Sequence, residues 1–193
     1  SEGNSIQDLA LAVCISDNFM EKAQNGDKES RKILAKVHKK RAETGFPYIF
    51  FSDNVERGKP QVYKDNNLKI NHSQLCTEIL EYTDEFKTFV CCLSSINVLH
   101  WEELKDTDAI ETLTYFLDAV YTEFIEKAKD LSYMEKAVKF AVEHRSIGVG
   151  VLGYHSYLQS KMIPFESLDA VFENEDIFKT IDERTLKASK ELA

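Results

Sequence analysis

The sequence has 193 residues, 43% of them hydrophobic and 11% aromatic, with 24 Lys and Arg against 33 Asp and Glu for a formal net charge of −9. At about 150 residues per domain this is one domain of ordinary size, apolar enough for a core, which excludes intrinsic disorder. An acidic chain without a basic stripe meets phosphate backbones and anionic lipid unfavourably, which argues against DNA or RNA as partners, and no run approaches the roughly 18 apolar residues of a membrane span.

The apolar start, residues 6–15, contains Asp8 and has no basic leader, so it does not read as an export signal. Residues 1–29 are expected to form a helical lead-in. Residues 30–43 carry Ile33, Leu34, Val37 and Ala42 among charges, with Ser30 as N-cap and Gly45 just past the end, which predicts a helix. Residues 46–51 are short and aromatic and predict a strand. Two further extended segments are expected near 74–80 and 88–93, paired as a hairpin or separate, with a turn-like stretch at 82–85 between them. From Asp108 the spacing of Ile110, Leu113, Leu117, Val120, Phe124 and Ile125 keeps one apolar stripe for more than four helical turns. A shorter helix is expected over 133–144, then a glycine-rich apolar segment at 147–153, then helices either side of Pro164, the last from about Glu175. A helix running to Ala193 without a C-cap, and a first residue other than Met, lead us to expect a piece of a longer or processed polypeptide.

Cys14, Cys76, Cys91 and Cys92 are too few and too unevenly placed for a secreted disulfide scaffold, so a reducing cytoplasm is expected. If 74–80 is extended, Gln74, Cys76 and Glu78 share one face and offer an amide, a thiol and a carboxylate in a row. The alternative is a half-buried strand whose thiol packs as a small hydrophobe. Adjacent Cys91 and Cys92 face opposite sides of a strand, so at most one can join Cys76 in a site, and both could equally be core thiols. Zinc on His72, Cys76, Cys91 and Cys92 fits poorly, because the spacing is not C-x2-C and one of two adjacent thiolates turns away; no metal site is expected.

Residues 148–153 match G-x-G-x-x-G literally, with Glu173 about 20 positions on. A dinucleotide fingerprint needs a strand before and a long helix after, whereas here a helix precedes and Pro164 interrupts, which favours a tightly packed strand and turn. Arg145 reads as a helix-end charge, and His38, His100, His144 and His155 as structural or surface residues.

Several blocks together resemble a known family. Residues 73–79, Ser-Gln-Leu-Cys-Thr-Glu-Ile, are similar to the S-N-L-C-x-E-I finger-loop motif of the large, catalytic subunit of class I ribonucleotide reductases. Residues 41–49 resemble its R-A-x-T-G-x-x-Y-I strand, 91–97 its C-x-L-S-x-I-N, 145–151 its R-x-x-G-x-G-V, and 186–193 a helix of the same subunit, all in the family's order. The resemblance implies an α/β fold, a partial ten-stranded α/β barrel with the finger loop, in which 30–193 form one barrel segment. It implies thiyl-radical reduction of ribonucleotides to deoxyribonucleotides. Cys76 matches the cysteine that removes the 3′ hydrogen of the ribose, Glu78 the carboxylate that takes the 3′-hydroxyl proton, and Cys91 one of the two reducing thiols. Ser73 and Gln74 fall at substrate-binding positions.

The family further implies a radical-generating dimetal small subunit, an external dithiol reductant of the thioredoxin or glutaredoxin type, and no cofactor in this chain. Two departures stand out. Gln74 occupies a position where the family usually has Asn, and no segment matches the strand with the second reducing cysteine, the phosphate-binding loop, the tyrosine pair of the radical path or the C-terminal dithiol. Cys14 lies upstream but in a different context and is not assigned. The chain is therefore expected to need companion large-subunit polypeptides, as from a split or interrupted gene; the alternative is a degenerate, non-catalytic assembly piece of the same fold.

Overall fold

Strand β1 (Ala12–Ile15) pairs in parallel with β2 (Tyr48–Phe51) in the computed structural model of the protein, which describes residues 10–193. Cα packing divides the chain at Phe89–Val90, inside the stretch expected to form one segment, and each of the two units is described by itself.

In the first unit the lead-in expected to be helical, whose residues 1–9 lie outside those described, carries the strand β1 ahead of its helix. A four-residue apolar run is too short for periodicity to tell strand from helix, and pairing of Ala12 with Tyr48 through Ile15 with Phe51 gives its backbone groups partners. Helix α1 (Asp17–Gln24) starts at Ser16, whose side chain accepts the Phe19 amide. Helix α2 (Lys28–Thr44) is capped by Asp27, not by Ser30: the Asp27 carboxylate accepts the Ser30 amide at 2.8 Å, so Ser30 is the third helical residue. Gly45 ends α2 at φ 80°, its N–H donating to the Arg41 carbonyl at 2.8 Å. After β2 come two short helices, α3 (Ser52–Gly58) and α4 (Gln61–Asp65), and Phe50, Tyr63 and Ile70 form a buried cluster beneath Val55, Leu68, Leu80 and Tyr82.

In the second unit β3 (Cys92–Asn97) pairs in parallel with β4 (Ile147–Leu152), Cys92 opposite Ile147 and Asn97 opposite Leu152. The strand expected over 88–93 thus begins at Cys92, because β4 offers no ladder partner before Ile147. The crossover carries α5 (Trp101–Leu104), α6 (Ala109–Ala128) and α7 (Glu135–His144). Helix α8 (Tyr154–Ser160) follows β4, and α9 (Leu168–Leu192) begins seven residues before the expected Glu175, since Ser167 caps it by accepting the Ala170 amide at 3.2 Å. Trp101, Ile110, Tyr157, Leu158 and Ile177 pack into one core; Cys92, Leu117, Tyr121 and Ala141 form another on the α6–α7 side. Helices and parallel strand pairs together bear out the α/β expectation.

Charged side chains fasten the helices. Arg184 on α9 donates to both carboxylate oxygens of Glu111 on α6, the Nε contact at 2.7 Å, and to the carbonyls of Lys105 and Thr107. Lys161 reaches Glu102 at 2.8 Å, Glu173 at 3.1 Å and the Tyr157 hydroxyl at 2.5 Å. Hydrogen bonds from Lys105 and Lys161 lower the Glu102 carboxyl to about 2, and burial raises Tyr157 to about 12.

Two outcomes test this packing. The Arg184 hydrogen bond holds the Glu111 carboxyl below its ordinary value of 4.5, so the charged form stabilises the fold above that pH and the gain is lost as pH falls through the lowered value. Glu111→Gln should cost about 1–3 kcal/mol in urea unfolding at neutral pH, with the gap to wild type closing as pH falls below 4.5 through the lowered value. Gly153, at φ 80°, would drive a Cβ into Asn97 Oδ1, the atom that accepts the Leu99 amide at 3.2 Å. Gly153→Ala should cost roughly 1–3 kcal/mol by the same measurement, more than an ordinary surface change.

Candidate functional site

The first unit carries the thiol-bearing loop across one face of the β1–β2 pair. Ala12 and Cys14 of β1 stand opposite Tyr48 and Phe50 of β2, and in a strand alternate residues share a face. Those four, with Ala10, His72, Ser73, Gln74 and Leu75, line a cavity of about 440 Å³. Small side chains at Ala10, Ala12 and Cys14 leave that room.

A loop crossing a sheet face has no ladder and must satisfy its polar groups by other means. At its base the Ile70 amide donates to Glu56 Oε1 at 3.1 Å, and Asn71 Nδ2 donates to the Thr83 carbonyl at 3.1 Å, tying the outgoing and returning strands of the loop together. Lys59 bridges the Glu56 carboxylate at 2.7 Å and the Leu68 carbonyl at 2.9 Å, and its hydrogen bond lowers the Glu56 carboxyl. His72 stacks on Phe89, ring centroids 5.7 Å apart.

Above this base Gln74 closes the tip. Its amide donates to the Ile79 carbonyl at 3.1 Å, its side-chain Oε1 accepts the Ile79 amide at 2.8 Å, and its carbonyl accepts the Thr77 amide at 3.1 Å. Thr77 is left-handed at φ 70°, which reverses the chain. The expected strand over 74–80 is therefore a closed turn, and the single-face row of Gln74, Cys76 and Glu78 does not exist as an extended segment. Among the described residues no strand pairs with the segment, which bonds to itself. The turn still presents the chemistry: Cys76 and Glu78 are both exposed at its tip, and Ser73 and Gln74 are half-buried on its rising side.

Cys91 belongs to the second unit, one residue before β3. It is exposed, while Cys92 is buried, so the two thiols do face opposite ways. Cys92 Sγ donates to the Leu117 carbonyl at 3.5 Å, and burial, with Asp118 nearby, raises its thiol above the ordinary value, as suits a packing residue. The structure therefore groups Ser73, Gln74, Cys76 and Glu78 on one turn and carries Cys91 on another element.

The remaining motifs find structural roles. Gly148 and Gly150 lie in β4, where a Cβ would meet Leu93 Cδ2 at 2.5 Å and Ser95 Oγ at 3.1 Å, so the glycine run serves close strand packing. Glu173 accepts from Tyr157 and Lys161. Arg145 ends α7 in the left-handed region, with its guanidinium on Asp118 Oδ1 and Thr122 Oγ1, each at 2.7 Å. His144 stacks on Phe140. Among the described residues no cluster of three His, Cys, Asp or Glu is disposed to hold a metal ion, and no helix is long and apolar enough to cross a membrane.

Sequence reasoning missed the sheet face beneath the loop. The alternation Ala10, Ala12, Cys14 was the available signal, since small residues at i, i+2 and i+4 mark one strand face with room above it.

Three comparisons bear on this arrangement. A family profile described as "Ribonucleotide reductase, barrel domain" matches residues 28–193. A ribonucleoside-diphosphate reductase large subunit from Invertebrate iridescent virus 3 is 43% identical over 154 residues, covering 79% of this chain and 24% of that protein. One from Arabidopsis thaliana is 32% identical over 185 residues, covering 86% and 22%. Among solved structures, the Actinobacillus ureae class Id ribonucleotide reductase alpha subunit superposes with a TM-score of 0.90 at 50% identity, covering 100% of this chain and 37% of that one. The chain thus spans about a quarter of the length of these sequence relatives. With a profile match over most of its length and a solved counterpart that follows it throughout, the chain belongs to the ribonucleotide reductase barrel family, as a segment of the large-subunit type.

Proposed function

We propose that this chain supplies the radical-bearing loop of a ribonucleotide reductase large subunit that is completed by companion large-subunit polypeptides. The observation that carries the reading is the closed turn at 74–79, which lifts a thiol and a carboxylate two residues apart to an exposed tip beside a cavity. Proximity of this kind converts hydrogen abstraction and proton removal at one sugar carbon into steps within a single complex.

In the reaction Cys76, as a thiyl radical, takes the hydrogen atom from C3′: an S–H bond forms and a C–H bond breaks. Glu78 accepts the 3′-hydroxyl proton. The 2′-hydroxyl takes a proton from one thiol of the pair formed by Cys91 and a cysteine of the companion polypeptide and leaves as water. C2′ takes a hydrogen from the other, the pair gives up two electrons and ends as a disulfide, and Glu78 returns its proton to the 3′-oxygen. Return of the hydrogen atom from Cys76 to C3′ regenerates the thiyl radical. Ser73 and Gln74 border the ribose. The radical comes from a dimetal small subunit, and a thioredoxin- or glutaredoxin-type dithiol re-reduces the disulfide; the setting is the cytoplasm. Burial within the completed assembly would shield the radical from water.

A second reading, an assembly piece without catalysis, is favoured by one feature: Gln74 in place of the Asn of the family motif. Deoxyribonucleotide formation by the completed assembly separates the two. The chain alone should be inactive. In the assembly Cys76→Ala should abolish turnover, and Glu78→Gln should lower kcat by about 10²–10⁴, the usual worth of a positioned general base. Full activity with Cys76→Ala overturns the catalytic reading; no activity in any reconstituted assembly favours the second.

A further inference from the structure

We infer that Gln74 is a positioning residue that sets the geometry of the Cys76 turn through the Ile79 amide. The inference deepens the reading given under Proposed function, and its catalytic part rests on that reading.

Three of the hydrogen bonds that shape the tip pass through this one residue. Its backbone N–H and side-chain Oε1 engage the carbonyl and the amide of Ile79, so the two residues are joined by a double rung with Leu75, Cys76, Thr77 and Glu78 enclosed between them. Its carbonyl takes the Thr77 amide and fixes the left-handed residue between the thiol and the carboxylate. Because Ile79 N–H is a donor, the side-chain atom facing it is the carbonyl oxygen; the amide orientation follows from that partner. The NH₂ end makes no hydrogen bond among the described residues.

The length of the side chain matters. Short Asn side chains close turns to amides about two residues on, whereas Gln74 reaches five positions ahead. Removing one methylene withdraws the oxygen by about 1.5 Å, and a 2.8 Å contact then lies beyond hydrogen-bonding range unless the loop moves. Gln74 is therefore not a neutral replacement for Asn in this chain: it bonds the far side of the loop directly and holds the thiol and carboxylate in the arrangement that a shared substrate carbon demands.

Three variants test this. Gln74→Met keeps the length without a good acceptor, Gln74→Asn shortens the reach, and Gln74→Glu keeps an acceptor while removing the NH₂ donor. Amide exchange of Ile79, followed by NMR on the 193-residue chain, should quicken by about fivefold or more in the Met and Asn variants and stay within about twofold of wild type in the Glu variant. In the completed assembly Gln74→Met should lower kcat with little change in KM, and Gln74→Glu should recover about tenfold of that loss. Unchanged Ile79 exchange in all three variants overturns the inference, as does a Glu variant that loses protection as fully as Met. A rise in KM shared by Met and Glu at constant exchange also overturns it, and makes Gln74 a substrate contact only. Full activity with Cys76→Ala would instead sink the catalytic reading while leaving the exchange result intact, so the two failures are distinguishable.

Discussion

A parallel strand pair cannot be closed by a tight turn, and that constraint organises both units of this protein. Between β1 and β2 the chain must travel back along the pair, and α1 and α2 supply the return; between β3 and β4 the return is the longer run of α5, α6 and α7. In the first unit the return helices pack on each other, and α4 and the residues after it bury Phe50 of β2; in the second the return helix α6 packs on β3 and β4. There Ile96 of β3, Trp101 and Ile110 of the crossover and Ile177 of the later helix α9 share one buried core. Close approach of the two strands in turn requires Gly148 and Gly150, and the exit from β4 requires the left-handed Gly153 beneath the Asn97 side chain.

Ionic groups fit the same pattern of fastening. Arg145 binds α7 to α6, Arg184 binds α9 to α6, and Lys161 gathers Glu102, Glu173 and Tyr157. All three cations are partly shielded and hydrogen-bonded to carboxylates, where charge-assisted bonds are stronger than exposed surface pairs. They are structural members, each holding one element to another.

The thiol-bearing loop obeys the opposite logic. It crosses a sheet face where small side chains leave space, and among the described residues no strand pairs with it. Its backbone is satisfied by Glu56, by Asn71 and above all by the Gln74–Ile79 double rung. A turn held at its base and closed below its tip can keep a thiol and a carboxylate exposed without leaving them free to wander, as the proposed function requires.

Much of this was legible in the residues. Apolar spacing placed α6 and α7, Gly45 marked the end of α2, the aromatic run marked β2, and the block at 73–79 marked the loop with Cys76 and Glu78 through its resemblance to the reductase finger loop. The residues alone also showed that Cys91 and Cys92 face apart, because adjacent positions in an extended chain do so whatever surrounds them. Other features were decided only when the chain folded. Whether 74–80 ran straight or turned depended on whether a strand paired with it, and among the described residues none does; where β3 began depended on the reach of β4; which residue capped α2 depended on a side-chain bond from Asp27. Local propensity fixes which conformations a segment can adopt at low cost, but the hydrogen-bond partners that choose among them come from residues distant in the chain, and only the tertiary structure brings those together.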